Sequence, residues 1–155
     1  DADMSTPPEE ALRLLSETGR GNQDAVIGSR VALLGHDIRR SAFRHYFGRV
    51  FASAASLALG LPVYDTQCGA KFFRVDDCFK DCIGDPFASR WAFDVELVGR
   101  IVGHPGRGRP AVVEEMPLRV WHDRGPSHLG FLAMLLSGLA LIEIRRRLAQ
   151  FRRTR

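Results

Sequence analysis

Tyr64-Asp65-Thr66-Gln67-Cys68-Gly69-Ala70-Lys71-Phe72-Phe73-Arg74 is the stretch around which the chain is organised. A turn-prone polar run, Asp65 to Gly69, empties into a short apolar strand, Ala70 to Phe73. Just upstream, Gly60-Leu61-Pro62 stops a segment that reads as helix from about Ile38 to Leu59. Phe43, Phe47, Val50, Phe51, Ala54, Leu57 and Ala58 recur there at intervals of three and four, which predicts the buried face. Arg40 and Arg44 lie one turn apart on it, as do His45 and Arg49. Just downstream stands a second acidic cluster, Arg90-Trp91-Ala92-Phe93-Asp94-Val95-Glu96-Leu97, and the chain opens on a third, Asp1-Ala2-Asp3. Carboxylates set against arginines point to a metal ion and phosphates.

Further out, Thr6-Pro7-Pro8-Glu9 predicts a helix start, with Thr6 as N-cap, Pro7 at the first helical position and Glu9 completing a capping box. Ala11, Leu12 and Leu15 are its expected apolar face. Asp24 to Gly28 reads as a short strand that runs into Ser29-Arg30. Asp76 or Asp77 caps a short helix through Cys82. Asp94 to Val102 is a further helix with Val95, Val98, Ile101 and Val102 facing inward. His104 to Pro110 is a loop, Ala111 to Val120 an extended strand, and a last helix begins near Leu129. Helices alternating with short strands give an α/β layer architecture.

The 155 residues suffice for one domain with a sizeable core, and 45% hydrophobic with 26% charged content excludes wholesale disorder. The net charge of +4 is uneven, because Arg145, Arg146, Arg147, Arg152, Arg153 and Arg155 crowd the C-terminus. A basic tail favours phosphate-bearing partners, and a solvated helix end is the competing reading. Nucleic acid ranks last among such partners, since interleaved aromatics and a recognisable motif are both missing. Three cysteines, Cys68, Cys78 and Cys82, give no disulfide framework, and reduced thiols are the default.

Asp-Thr-Gln-Cys-Gly at 65–69 followed by Arg-Trp-Ala-Phe-Asp-Val-Glu-Leu at 90–97 resembles the inverting glycosyltransferases of family 2 that use polyprenyl-phosphate acceptors, among them the dolichyl-phosphate glucosyltransferases. The resemblance runs from Asp1 to about Ser127. It implies the C-terminal part of a GT-A (Rossmann-like) domain over residues 1–128, followed by a membrane-proximal helix over 129–155. The first half of such a fold, which holds the nucleotide base, would precede Asp1, and residues 1–155 would be inactive without it. Implied with it are a nucleotide-sugar donor such as UDP-glucose, a polyprenyl or dolichyl phosphate acceptor, Mg²⁺ or Mn²⁺, and a place on the cytoplasmic face of a membrane.

The family pattern also assigns roles. Asp1 and Asp3 match its Asp-x-Asp motif, which would hold the ion that neutralises the departing diphosphate. Arg30 and Arg44 match the acceptor-phosphate positions, where guanidinium groups bind in bidentate fashion. Arg40 and Arg49 read as solvated surface. Asp65 falls near the reaction centre, where it acts on the attacking oxygen, the metal or the donor sugar, or else serves as an Asx-turn residue. Asp94 aligns with the carboxylate that is the base in many relatives, and is alternatively a helix N-cap. Gln67 and Lys71 are expected sugar or phosphate contacts, and Trp91 packs under the sugar or fills the core. Ser127 matches the Ser of a Gly-Ser-Lys element, although Pro126 and His128 replace its neighbours. A catalytically inactive, basic membrane-surface module is the rival reading. Leu129 to Ile142 is apolar nearly all round, too short to span a bilayer, and expected to lie in protein or in the plane of a lipid surface.

Overall fold

The computed structural model describes residues 4–17, 21–39, 42–123 and 131–154. In chain order these form α1 (Pro8–Glu17), β1 (Ala25–Ser29), β2 (Asp37–Arg39), α2 (Ala42–Leu59), β3 (Lys71–Phe73), α3 (Asp77–Gly84), α4 (Phe93–Gly103), β4 (Val113–Pro117), β5 (Val120–His122) and α5 (Phe131–Thr154). A 3-10 turn, Pro105–Arg107, links α4 to β4. The protein is therefore a mixed α/β structure.

β1 is central and buried along its whole length. It pairs antiparallel with β3, Ala25 opposite Phe73, and parallel with β4, Ala25 opposite Val113. A strand covered on both faces must be apolar throughout, as Ala25-Val26-Ile27 is. Ile27 faces the helices and is fully buried with Ala55 and Leu59 of α2, Val95 and Val98 of α4, and Leu141, Ile144 and Leu148 of α5. Leu14 of α1 closes the opposite side with Ala70, Leu118 and Trp121. At Gly28 an added Cβ would lie 3.0 Å from Leu118 Cδ2 and 3.2 Å from Ala70, so a side chain there would require those neighbours to give by a few tenths of an ångström. Gly99 is more tightly confined, because a Cβ would run into Leu148 and Leu59 where α4 passes beneath α5 and α2.

Several local expectations shift. α1 starts at Pro8, the Thr6 hydroxyl has no hydrogen-bond partner, and Leu14 rather than Leu12 or Leu15 is the buried contact. The cause is Glu10, which faces inward to accept the Arg119 amide (2.7 Å) while Arg13 grips it from the next turn. The helix predicted from Ile38 begins only at Ala42. Ile38 lies instead in β2, paired with β5 opposite Trp121 and packed against the α1 side of the core. On α2 the buried face is Ala52, Ala55 and Leu59, whereas Val50 and Leu57 point outward. The single strand expected over 111–120 is split between β4 and β5 at Leu118 and Arg119. Asp76, not Asp77, caps α3, accepting the Phe79 amide at 2.8 Å.

Two buried ion networks tie the loops down. Asp24, 1% exposed at its side chain, accepts bonds from Arg107 (2.6 Å), from both terminal nitrogens of Arg109 (2.7 and 2.8 Å) and from the Val112 amide (2.8 Å). Glu96 and Arg100, one turn apart on α4, are joined at 2.6 Å and buried. Arg100 also satisfies the carbonyls of Cys82, Asp85 and Pro86, and Glu96 takes the Ala88 amide. Glu96 thus holds the loop before α4, although it stands two residues from Asp94.

Candidate active site

Three segments converge at the C-terminal end of β1. Arg30 leaves the strand directly after Ser29. The left-handed turn at Gly60 (φ 68°) ends α2 and delivers Tyr64 and Asp65 to the same place. Lys71 on β3 and Glu115 on β4 stand opposite Ile27 in register, so the row Lys71–Ile27–Glu115 crosses the sheet beneath them.

Arg30 and Asp65 form a fork, Nε to Oδ2 at 2.7 Å and Nη2 to Oδ1 at 2.8 Å, and the Arg30 amide adds a third bond to Oδ2 at 3.1 Å. The guanidinium also lies 5.2 Å from the ring centroid of Trp121. Burial works against the charge on Arg30, but Asp65 outweighs it and holds the guanidinium above its usual range.

Next to this pair stands a second one. Lys71 Nζ lies 3.1 Å from Asp94 Oδ2 in the first turn of α4 and donates as well to the Cys68 carbonyl. Burial pushes the Asp94 carboxyl above the ordinary carboxylate range, Lys71 pulls it back, and the negative charge of Asp65 adds to the upward push. The two aspartates therefore share one electrostatic neighbourhood. Asp94 is not the cap of α4: Ala92 holds that position and the Ser89 hydroxyl accepts the nearby Ala92 amide.

The polar turn between the pairs carries unmet hydrogen-bonding capacity. Thr66 is completely buried with its hydroxyl unpaired, and the Gln67 side-chain nitrogen is buried without a partner. Cys68 is buried too, and burial raises its thiol pKa, which makes it a poor nucleophile. The structure thus brings Arg30, Asp65, Lys71 and Asp94 into one cluster, and Gln67 lies on the turn that joins Asp65 to Lys71. Trp91 is 55% exposed on the turn entering α4. Asp1, Asp3 and Ser127 lie outside the described residues, as does the side chain of Arg44; its backbone belongs to α2. Among the described residues no three His, Cys, Asp or Glu side chains are grouped to hold a metal ion.

Two participants were missed in the sequence. Arg49, read as solvated, donates to the Tyr64 carbonyl at 3.1 Å with its guanidinium 3.6 Å from the centre of the Tyr64 ring. Glu115 accepts the Tyr64 amide at 2.8 Å and the Asp65 amide at 2.7 Å. The available signal for Glu115 was a pair of carboxylates, Glu114-Glu115, interrupting an otherwise apolar strand. A hollow of 310 Å³ lined by Gln23, Val26, Phe72 and Arg74 includes none of the predicted site residues.

The cluster thus consists of two cation–carboxylate pairs, Arg30–Asp65 and Lys71–Asp94, at the end of the central strand. The chain is 28% identical over 149 residues to a dolichyl-phosphate beta-glucosyltransferase of Trichomonas vaginalis. The alignment covers 93% of this chain and 42% of that protein, so the chain spans less than half the length of its relative. It is thus a relative of a glycosyltransferase. No family model and no solved structure matches it.

Proposed function

We propose that this chain is the acceptor-side part of an inverting glycosyltransferase of family 2 with a GT-A fold. It would transfer a sugar, glucose, from a nucleotide-sugar such as UDP-glucose to a dolichyl or related polyprenyl phosphate. The observation that carries this reading is the 28% identity across nearly the whole chain, which spans both the Arg30–Asp65 and the Lys71–Asp94 pairs.

The acceptor phosphate is already an anion and needs binding more than deprotonation. Arg30 spends Nε and Nη2 on Asp65, and its Nη1 would meet the phosphate. Arg44 and Ser127 would complete the phosphate contacts. Asp94 is partly buried, raised in pKa and paired only with Lys71 among the described residues, which suits a group that takes a proton or orients the attacking oxygen. Asp65 would set the Arg30 guanidinium, while Gln67 and Lys71 meet sugar or phosphate and Trp91 offers an exposed ring to the sugar. Asp1 and Asp3 would hold Mg²⁺ or Mn²⁺, supplying the charge that stabilises the leaving diphosphate.

The membrane partner has support in the surface. Tyr46, Val50 and Leu57, at 73%, 68% and 80% exposure, lie on one outward stripe of α2. Leu139 and Ile142 project from α5, and the exposed Arg145, Arg146, Arg152 and Arg153 follow them. Apolar rows beside a basic cluster fit the cytoplasmic, anionic face of a bilayer. No described helix is long and apolar enough to cross a membrane. α5 is part of the core as well, through Leu141, Ile144, Leu148 and Phe151.

The test is sugar transfer by the intact protein from radiolabelled UDP-glucose to dolichyl phosphate, with and without excess EDTA. A β-linked lipid-phosphate sugar formed only with divalent metal is the expected product. Vesicle binding without transfer from any nucleotide-sugar would instead favour the inactive membrane-surface module.

A further inference from the structure

We propose that Glu115 and Arg49 are positioning residues for Asp65, gripping the Tyr64–Asp65 peptide from its two sides so that the carboxylate meets Arg30 as a fork. The inference rests on the glycosyltransferase reading above. The Tyr64 carbonyl and the Asp65 amide belong to one peptide group and point in opposite directions. Arg49 takes the first at 3.1 Å and Glu115 takes the second at 2.7 Å, so rotation of that peptide is blocked at both ends. Glu115 also accepts the preceding Tyr64 amide at 2.8 Å, and Arg49 lies 3.6 Å over the Tyr64 ring. Both anchors sit on rigid elements, β4 in register with β1 and the middle of α2.

A carboxylate is a costly choice for this position. Its neighbour two residues back on the same sheet face is Val113, and the residue opposite is Ile27. Burial raises the Glu115 carboxyl above its ordinary range; the two backbone bonds and Arg49 draw it down and Asp65 pushes it up. An apolar side chain would pack there without that penalty. What it could not do is receive two consecutive amides and so fix the loop that carries Asp65. Among the described residues the charged groups acting on Glu115 are Asp65 from the loop and Arg49 from α2.

The experiment has two readouts in the intact protein. In the first, the amide signals of Tyr64 and Asp65 are followed against pH by NMR. They are expected to move together with one carboxyl titration above the ordinary range, and Glu115→Gln abolishes that movement. The second is steady-state transfer: Glu115→Gln and Arg49→Lys each lower kcat roughly ten- to a hundredfold, with both KM values within about twofold of wild type. Persistence of the amide titration in Glu115→Gln overturns the grip, and an unchanged kcat in the folded variants overturns its positioning role. Absence of transfer by the wild type would count against the glycosyltransferase reading, and the amide titration would still decide whether Glu115 holds the loop.

Discussion

Arg30 and Asp65, 35 residues apart, meet through two parallel hydrogen bonds of 2.7 and 2.8 Å, and each side chain is almost wholly removed from water. Breaking such a pair leaves a buried charge uncompensated, which costs about 3–5 kcal/mol. Asp65→Asn is therefore expected to lower both stability and kcat, the latter by a factor on the order of 10². Arg30→Lys, which cannot form the fork, should move both quantities in the same direction. Urea denaturation alongside transfer assays checks this, and an Asp65→Asn variant as stable as wild type would show the pair to be energetically idle.

Asp94 should behave differently. Its raised pKa means that the fold disfavours the ionised form relative to the unfolded chain. The stability linked to this group is present at low pH and is lost as pH rises through the folded pKa. The neutral isostere in Asp94→Asn should accordingly cost little stability at neutral pH while kcat drops. If the ionised form acts in transfer, the rate of the wild type falls on acidification along a limb above the ordinary carboxylate range. A pH–rate profile of the wild type checks the limb, and an unaltered kcat in Asp94→Asn would return the reaction centre to Asp65.

Acid sensitivity of the fold itself should trace to Asp24. Burial alone would raise its carboxyl, but Arg109, the Val112 amide and Arg107 overcome this and hold it below its usual value. A depressed carboxylate contributes stability above its unfolded pKa and loses it as pH falls through the folded one. Asp24→Asn leaves the buried guanidinium of Arg107 with Asp76 as its remaining carboxylate and should cost roughly 1.5–3 kcal/mol near neutrality. The difference from wild type should shrink in acid, which melting temperatures measured across pH would reveal.

The proposed lipid-facing surface can be probed without unfolding the chain. Deleting α5 would remove Leu141, Ile144 and Leu148 from the core, so point changes on exposed positions are the proper test. Arg145→Gln with Arg146→Gln should weaken flotation with anionic vesicles by roughly an order of magnitude or more, at about 1 kcal/mol for each arginine. Val50→Ser with Leu57→Ser should weaken it through lost apolar contact and leave the melting temperature nearly unchanged. Equal flotation of all variants would assign these residues to a protein partner or to solvent.

The sequence by itself determined the elements whose signals are local. Ala25-Val26-Ile27 reads as a buried strand, Val95, Val98 and Ile101 as a helix face, and Gly60-Leu61-Pro62 as a stop, because periodicity and turn chemistry report the nearest neighbours along the chain. It also singled out Arg30, Asp65, Lys71 and Asp94. Only the tertiary structure decided which charge answers which. Arg30 is matched to Asp65 and Asp94 to Lys71, whereas Glu96, two residues from Asp94, turns away to Arg100. Glu115 and Arg49 gained their roles because β4 and α2 bring them against one peptide from opposite sides. In the same way Ile38 left the predicted helix for a strand once β5 offered it a partner. Side-chain spacing fixes which face of an element is apolar, but the pairing of buried charges depends on which distant segments meet, and that is settled by packing.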